Sequence, residues 1–266
     1  MGYELWVKLP PYPLTITHHP SLVTHHPSPI TRHPSPITRH RFTMTDIALV
    51  VFDMAGTTIE DSGQVPDAFT TVLRRHGIEI SDDALRAVRG ASKRDAIRHF
   101  VERHHTTGVQ ALTDAIFEDF RDYLAQLFKA GGVKPIAGAA EIFAWLRGRG
   151  IKVALTTGFD RSTTDLIIEA VGWKSGIADT VVCGDDVALG RPAPFLIFRA
   201  MEQTGVTSVH QVMCVGDTVL DLQAGHNAGV RYVVGVLSGA HKQVQLETQP
   251  HTHLIASVAA LSSVPF

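Results

Sequence analysis

From Ile47 onward, short uninterrupted apolar runs alternate with longer stretches in which apolar residues recur every three or four positions. Residues 47–52, IALVVF, form the first run, and a wholly apolar run of this length is what a parallel strand buried on both faces requires. Four more runs follow at 152–155, 180–183, 212–215 and 232–234. Helical spacing separates them at about 138–148, 161–171, 192–204 and 218–228. This alternation predicts an α/β fold with a Rossmann-like, doubly wound parallel sheet.

Residues 66–130 break the rhythm. They hold no strand candidate, only amphipathic pattern, clearest over 109–129 with Leu112, Ile116, Phe117, Phe120, Tyr123, Leu124 and Leu127. Ser81 followed by Asp82 and Asp83 supplies an N-cap and first-turn acids for another helix. An all-helical block between the first and second strands reads as an inserted cap domain, at about 63–135.

Residues 1–43 are of a different kind. A heptapeptide beginning at Thr17, Thr24 and Thr31 recurs, with prolines at Pro20, Pro27, Pro34, Pro29 and Pro36. Each proline removes a backbone donor and biases its predecessor away from helix, so a disordered or polyproline-like extension is expected. Its six histidines (18, 19, 25, 26, 33 and 40) come without acidic partners or a fixed spacing for a metal. The expected start of the folded body is Met44, with 44–266 as core plus cap and the extension as upstream sequence read in frame.

Composition narrows the class. The 266 residues are 44% hydrophobic and 19% charged, with 24 basic and 26 acidic side chains and a net charge of −2. That balance gives no reason to expect nucleic acid or an anionic membrane as partner. No apolar run approaches the roughly 20 residues that span a bilayer. The two cysteines, Cys183 and Cys214, lie in apolar stretches, which fits strand packing in a reducing, cytoplasmic compartment.

Chemistry-bearing side chains collect where strands are predicted to end. Asp53 follows the first strand, Thr156 and then Thr157 and Gly158 the second, Arg191 lies in the loop after Cys183, and Asp217 follows the fourth with Asp221 one turn later. In open α/β sheets, ligands bind at the carboxyl ends of strands. Carboxylates supply oxygen ligands for Mg²⁺, while hydroxyl and guanidinium donors hold phosphoryl oxygens, so the set suits metal-assisted chemistry at phosphorus.

These motifs resemble those of the haloacid dehalogenase superfamily: residues 53–58 (DMAGTT) the first, Thr156 the second, 190–194 (GRPAP) the third and 216–221 (GDTVLD) the fourth. The resemblance implies an aspartate nucleophile, here Asp53, that becomes transiently phosphorylated. It also implies Mg²⁺ held by Asp53, the carbonyl of Ala55 and Asp217, with Asp221 nearby. The phosphatases of that superfamily usually carry a second, proton-moving aspartate two residues after the nucleophile; here that position is Ala55.

The Asp-x-Ala-Gly-Thr pattern is similar to that of the phosphonatase branch, in which a cap lysine forms an imine with an aldehyde substrate. Its Gly-x-x-Lys turn is matched by Gly90 and Lys93, and its Gly-Arg-Pro by 190–192. That branch carries a histidine three residues after the lysine, where this chain has Ala96. Arg89, just before the glycine, is an extra cation suited either to depress the lysine's pKa or to take a second anionic group. The resemblance implies P–C hydrolysis of phosphonoacetaldehyde or a related 2-oxo-alkylphosphonate, and two copies paired through their caps. Two further readings stay open: a phosphatase of a small phosphate ester in which Lys93 only binds anion, and an impaired binding module that has kept the fold.

Overall fold

The computed structural model describes residues 47–173 and 176–266. The proline-rich extension at 1–43 and the expected start at Met44 lie outside the described residues. Six strands form one all-parallel sheet in the order β3-β2-β1-β4-β5-β6. They are β1 (Leu49–Asp53), β2 (Lys152–Thr156), β3 (Thr180–Val182), β4 (Val212–Gly216), β5 (Tyr232–Val236) and β6 (His253–Ile255). Strand order reverses direction of travel at β1, so β1 and β4 flank the crevice where such sheets take ligands.

Alternation along β1 explains why its run is apolar throughout. Val50 and Phe52 face one core, with Val153, Leu155, Met213 and Val215 beside them. Leu49 and Val51 face the other, with Ala154, Val212, Leu196 and Leu222. Side chains of a strand alternate faces, and helices cover both here, so each position must be apolar.

Four helices lie between β1 and β2: α1 (Gln64–Arg75), α2 (Asp82–Ala87), α3 (Lys93–His104) and α4 (Val109–Gly131). Ser81 caps α2 by accepting from the Ala84 N–H at 3.2 Å. The apolar stripe of α4, including Ile116, Phe120 and Leu124, is buried, and Phe69 of α1 meets Phe120 at 4.7 Å between ring centroids. The fold is therefore a doubly wound sheet carrying an all-helical cap. The flanking helices are α5 (Ala139–Arg147), α6 (Arg161–Ala170), α7 (Phe195–Thr204), α8 (Val219–Ala228) and the single turn α9 (Gln243–Leu246).

Two details differ from the sequence pattern. Helix α7 begins at Phe195 rather than 192, because Pro194 disfavours helical backbone at Ala193 before it, and Pro194 is the N-cap. Strand β6 has no counterpart among the five runs; its three residues are half-buried at the sheet edge, where burial on one side asks for less apolar character. Among the described residues, no helix is long and apolar enough to cross a membrane.

The core under β1 is anchored by aromatic contacts. Phe143 of α5 stands edge-on to Phe52 at 5.1 Å and to Trp173 at 5.6 Å, and both phenylalanines are almost fully buried. Phe143→Ala should cost about 3–5 kcal/mol, from lost transfer energy and a residual cavity. Urea unfolding followed by circular dichroism measures it, and a loss under about 1 kcal/mol would mean that the layer collapses around the gap.

Candidate active site

Strand register brings the site together. Asp53 ends β1 directly opposite Thr156 at the end of β2, and β4 on the other side of β1 delivers Asp217 in the next turn. Asp221 arrives through a capping box at the start of α8: its carboxylate accepts from the Thr218 N–H at 3.0 Å, while the Thr218 hydroxyl accepts from the Asp221 N–H. Oxygens of Asp53, Asp217 and Asp221 lie within 4.8 Å of one another, and all three residues are buried.

Arg191 crosses this acidic centre. Nη1 donates to Asp53 Oδ1 at 2.8 Å, Nε to Asp221 Oδ1 at 2.9 Å, and Nη2 to the Thr156 hydroxyl at 2.8 Å. Nη1 also reaches the Gly90 carbonyl of the cap at 3.3 Å. Burial alone would lower the guanidinium's pKa, but Asp221 and Asp53 outweigh it and hold Arg191 above its ordinary value.

The loops around Asp217 form a close-fitting cradle. Thr57 donates its hydroxyl to Asp217 Oδ1 at 2.9 Å, and the Ala240 N–H donates to Oδ2 at 2.7 Å. Gly56 has φ +93°, and a Cβ there would lie 2.4 Å from Asp217 Oδ2, so only glycine lets the turn pass this close. Thr57, Gly239 and Ala240 were not singled out from sequence. The turn after β1 was visible, but its pairing with a carboxylate 160 positions away was not.

Burial pushes Asp53 well above the usual carboxylate range; Arg191 opposes the shift, and Asp221 and Asp217 add to it. Burial, then Asp221, carries Asp217 up to about 7. Two buried carboxylates held above their ordinary values even beside an arginine are a site short of positive charge. An all-oxygen donor set of this kind fits a hard divalent cation such as Mg²⁺.

Residues 156–158, at the end of β2, do not all face the cavity. Thr156, at the strand end, turns its hydroxyl to Arg191 and donates it to the Phe52 carbonyl at 3.2 Å. Thr157 and Gly158 line the cavity, together with Asp53, Ala55, Lys93, Arg191 and Asp217. Thr156 thus holds Arg191, and the surface open to a ligand begins one residue later.

Lys93 reaches the site from the cap. It is the first residue of α3, whose N-cap Ser92 accepts from the Asp95 N–H. The Lys93 N–H donates to the Gly158 carbonyl at 2.9 Å, which fastens the 90–93 turn to the core. The residue is 8% exposed, and its Nζ sits 4.6 Å from the centre of the Phe159 ring. Burial lowers its pKa to about 8, Asp53 opposing and Arg191 reinforcing the shift. The reinforcing cation is Arg191, not Arg89. Ala96, one turn along α3, is buried in the cap's own core. Asp61, also on the cavity wall, is a carboxylate that the sequence pattern did not mark.

The two cysteines pack as small buried side chains, and burial pushes both thiols up to about 12.

With this geometry, the family can be stated. The chain belongs to the haloacid dehalogenase-like hydrolases, whose family pattern matches residues 47–229. It is a hydrolase. Phosphonoacetaldehyde hydrolase from Bacillus cereus (strain AH187) is 31% identical over 205 residues, covering 73% of this chain and 77% of that protein. In fold, the chain is similar to a phosphonoacetaldehyde hydrolase-like protein from Oleispira antarctica, with TM-score 0.72 and 22% identity over 82% of this chain and 91% of that one. It is similar also to a protein described as a phosphoglycolate phosphatase from Lactobacillus delbrueckii, with TM-score 0.66 and 17% identity over 82% and 98% of the respective chains.

The contact between cap and core is tight enough to test. A Cβ on Gly158 would lie 2.2 Å from the Ala91 carbonyl oxygen, so Gly158→Ala must push the 90–93 turn away. We expect hydrolase activity to fall by roughly 100-fold, the scale of an ångström misplacement in an active site, with the circular dichroism spectrum unchanged. Wild-type turnover by this variant would mean that the contact has no part in the working enzyme.

Proposed function

We propose that the protein hydrolyses the P–C bond of phosphonoacetaldehyde or a related 2-oxo-alkylphosphonate. The observation that carries this reading is Lys93, a desolvated amine on the wall of the cavity that also holds Asp53. A pKa near 8 leaves about one amine in ten neutral at pH 7, compared with well under one in a thousand for an ordinary lysine. The 31% identity to a phosphonoacetaldehyde hydrolase supports the same reading.

Neutral Lys93 adds to the substrate carbonyl and, with loss of water, gives a protonated imine. An oxygen of Asp53 then attacks phosphorus. The P–C electron pair moves into the imine, leaving an enamine on Lys93 and a phosphoryl group on Asp53. Protonation of the enamine carbon and hydrolysis of the resulting imine release the aldehyde, and water cleaves the aspartyl phosphate. The imine acts as the electron sink, so no acid is needed to protonate an alkoxide, and Ala55 in place of a proton-moving aspartate becomes tolerable.

In this proposal Arg191, the Thr157 hydroxyl and the Gly158 backbone bind the phosphoryl oxygens, Thr156 orients Arg191, and Asp221 fixes the guanidinium from its other side. Asp53, the Ala55 carbonyl and Asp217, with Asp221 nearby, would hold Mg²⁺, which supplies positive charge beside the phosphoryl group. Cation binding to this cluster should stabilise the fold by linkage, so Mg²⁺ should raise the melting temperature of the wild type and not of Asp217→Asn. Equal shifts in both would place the cation elsewhere.

Four further outcomes follow for the chemistry. Asp53→Asn should abolish turnover with the fold intact, because an amide is a poor nucleophile. Borohydride added with phosphonoacetaldehyde should trap an adduct at Lys93, and Lys93→Arg should lose P–C cleavage entirely. Because the neutral amine is the reactive form, cleavage should rise with pH through about 8 and fall about tenfold per unit well below it. The competing reading is a phosphatase of a small phosphate ester, with Lys93 binding anion. It predicts no trapping, substantial activity in Lys93→Arg and no rising limb near pH 8.

A further inference from the structure

Arg89 has no role in the reaction just described. It stands on the wall of the cavity that holds Asp53 and Lys93, half-buried. Three neighbouring cap arginines hold carboxylates, Arg86 that of Asp83, Arg94 that of Asp114 and Arg98 that of Asp95, whereas Arg74, Arg75 and Arg103 hold none among the described residues but, unlike Arg89, do not line the cavity. The Arg89 guanidinium holds none among the described residues. The acids it could meet in the cavity are engaged: Asp53 with Arg191, Asp217 with Thr57 and Ala240, and Asp61 Oδ1 with the Gly63 N–H. The apolar side chains nearby in the lining, Val65, Phe69 and Val88, offer it no acceptor.

The turn that carries Arg89 is held at both ends. Before it, the Arg89 N–H donates to the Arg86 carbonyl at 3.2 Å. After it, the Gly90 carbonyl accepts from Arg191, and a Cβ on Gly90 would lie 2.4 Å from the Thr218 hydroxyl. A guanidinium carried on so constrained a turn, facing a ligand cavity without a partner, is preorganised for an acceptor that the protein does not supply.

We infer that Arg89 forms a second anion subsite, and that the physiological substrate carries a carboxylate besides its reacting phosphoryl group. A carboxylate matches the planar fork of a guanidinium through two parallel N–H···O bonds. The substrate class then becomes a 2-oxo-alkylphosphonate bearing a carboxylate. This assignment rests on the cavity being the substrate site, as proposed above, but not on imine formation.

Binding separates the two claims. Calorimetric titration of the Mg²⁺-loaded protein with ω-phosphonocarboxylates of two to four carbons, and with alkylphosphonates of matching length, compares a terminal carboxylate with a terminal methyl. In the wild type, at least one carboxylate should bind about tenfold more tightly than its methyl counterpart, the scale of one charge-assisted pair. Arg89→Met should erase that preference while binding alkylphosphonates within about threefold of the wild type, and Arg89→Lys should restore part of it. Equal binding of both series by the wild type, or a carboxylate preference that survives in Arg89→Met, overturns the subsite. A preference that depends on Arg89, in a protein that neither cleaves nor is trapped by borohydride with phosphonoacetaldehyde or a carboxylate-bearing 2-oxo-alkylphosphonate, would keep the subsite and refute the P–C reading.

Discussion

Much of this site depends on one buried guanidinium. Arg191 touches a carboxylate at the end of β1, a hydroxyl at the end of β2, a carboxylate in the first turn of α8 and a carbonyl in the cap. A cation removed from water in this way is tolerable only because its donors are met, and the carboxylates it meets are tolerable only because it is there. The sheet register that sets Asp53 opposite Thr156, and the capping box that sets Asp221, are the means by which the chain brings these partners to one point. Removing any one would leave the others buried with an unmatched charge or hydrogen bond.

The same contact links chemistry to the position of the cap. The carbonyl that Arg191 holds belongs to Gly90, in the turn that ends at Lys93, and the Lys93 N–H bonds to the Gly158 carbonyl. Gly158 and Gly90 are the places where this approach needs glycine most, because in each case an added Cβ would lie within 2.4 Å of an atom across the boundary. The amine's environment is therefore made jointly by cap and core. Phe159 and Arg191 come from the sheet side, and the helix that carries Lys93 from the other.

The sequence made the sheet legible because burial on both faces demands unbroken apolar runs, and five of its strands have them. Strand β6 escaped notice because, as a half-buried edge of three residues, it needs no such run. Asp53, Asp217, Asp221, Arg191 and Lys93 could be read from motif spacing, and they do converge. Of the three residues read as ligand-facing there, Thr157 and Gly158 line the cavity while the Thr156 hydroxyl accepts from Arg191, since periodicity finds a strand end but not which of its last hydroxyls meets an arginine. Thr57 stood in the first motif without a role of its own, and Ala240 stood in none. Each matters through a hydrogen bond to Asp217 across a separation that no local pattern records.

The contact of 2.9 Å between the Lys93 N–H and the Gly158 carbonyl also bears on selectivity against unintended partners. Aldehydes are common electrophiles, and an amine permanently poised to react would collect adducts from any of them. Here the amine sheds its proton readily only in surroundings that the lid and the sheet complete together. With the lid raised, water would return to Nζ, the ordinary lysine pKa would return with it, and the side chain would be an unreactive ammonium ion. On the proposed chemistry, a reactive group mounted on the cap is its own safety catch, since the surroundings that lower its pKa are complete only where cap and core meet.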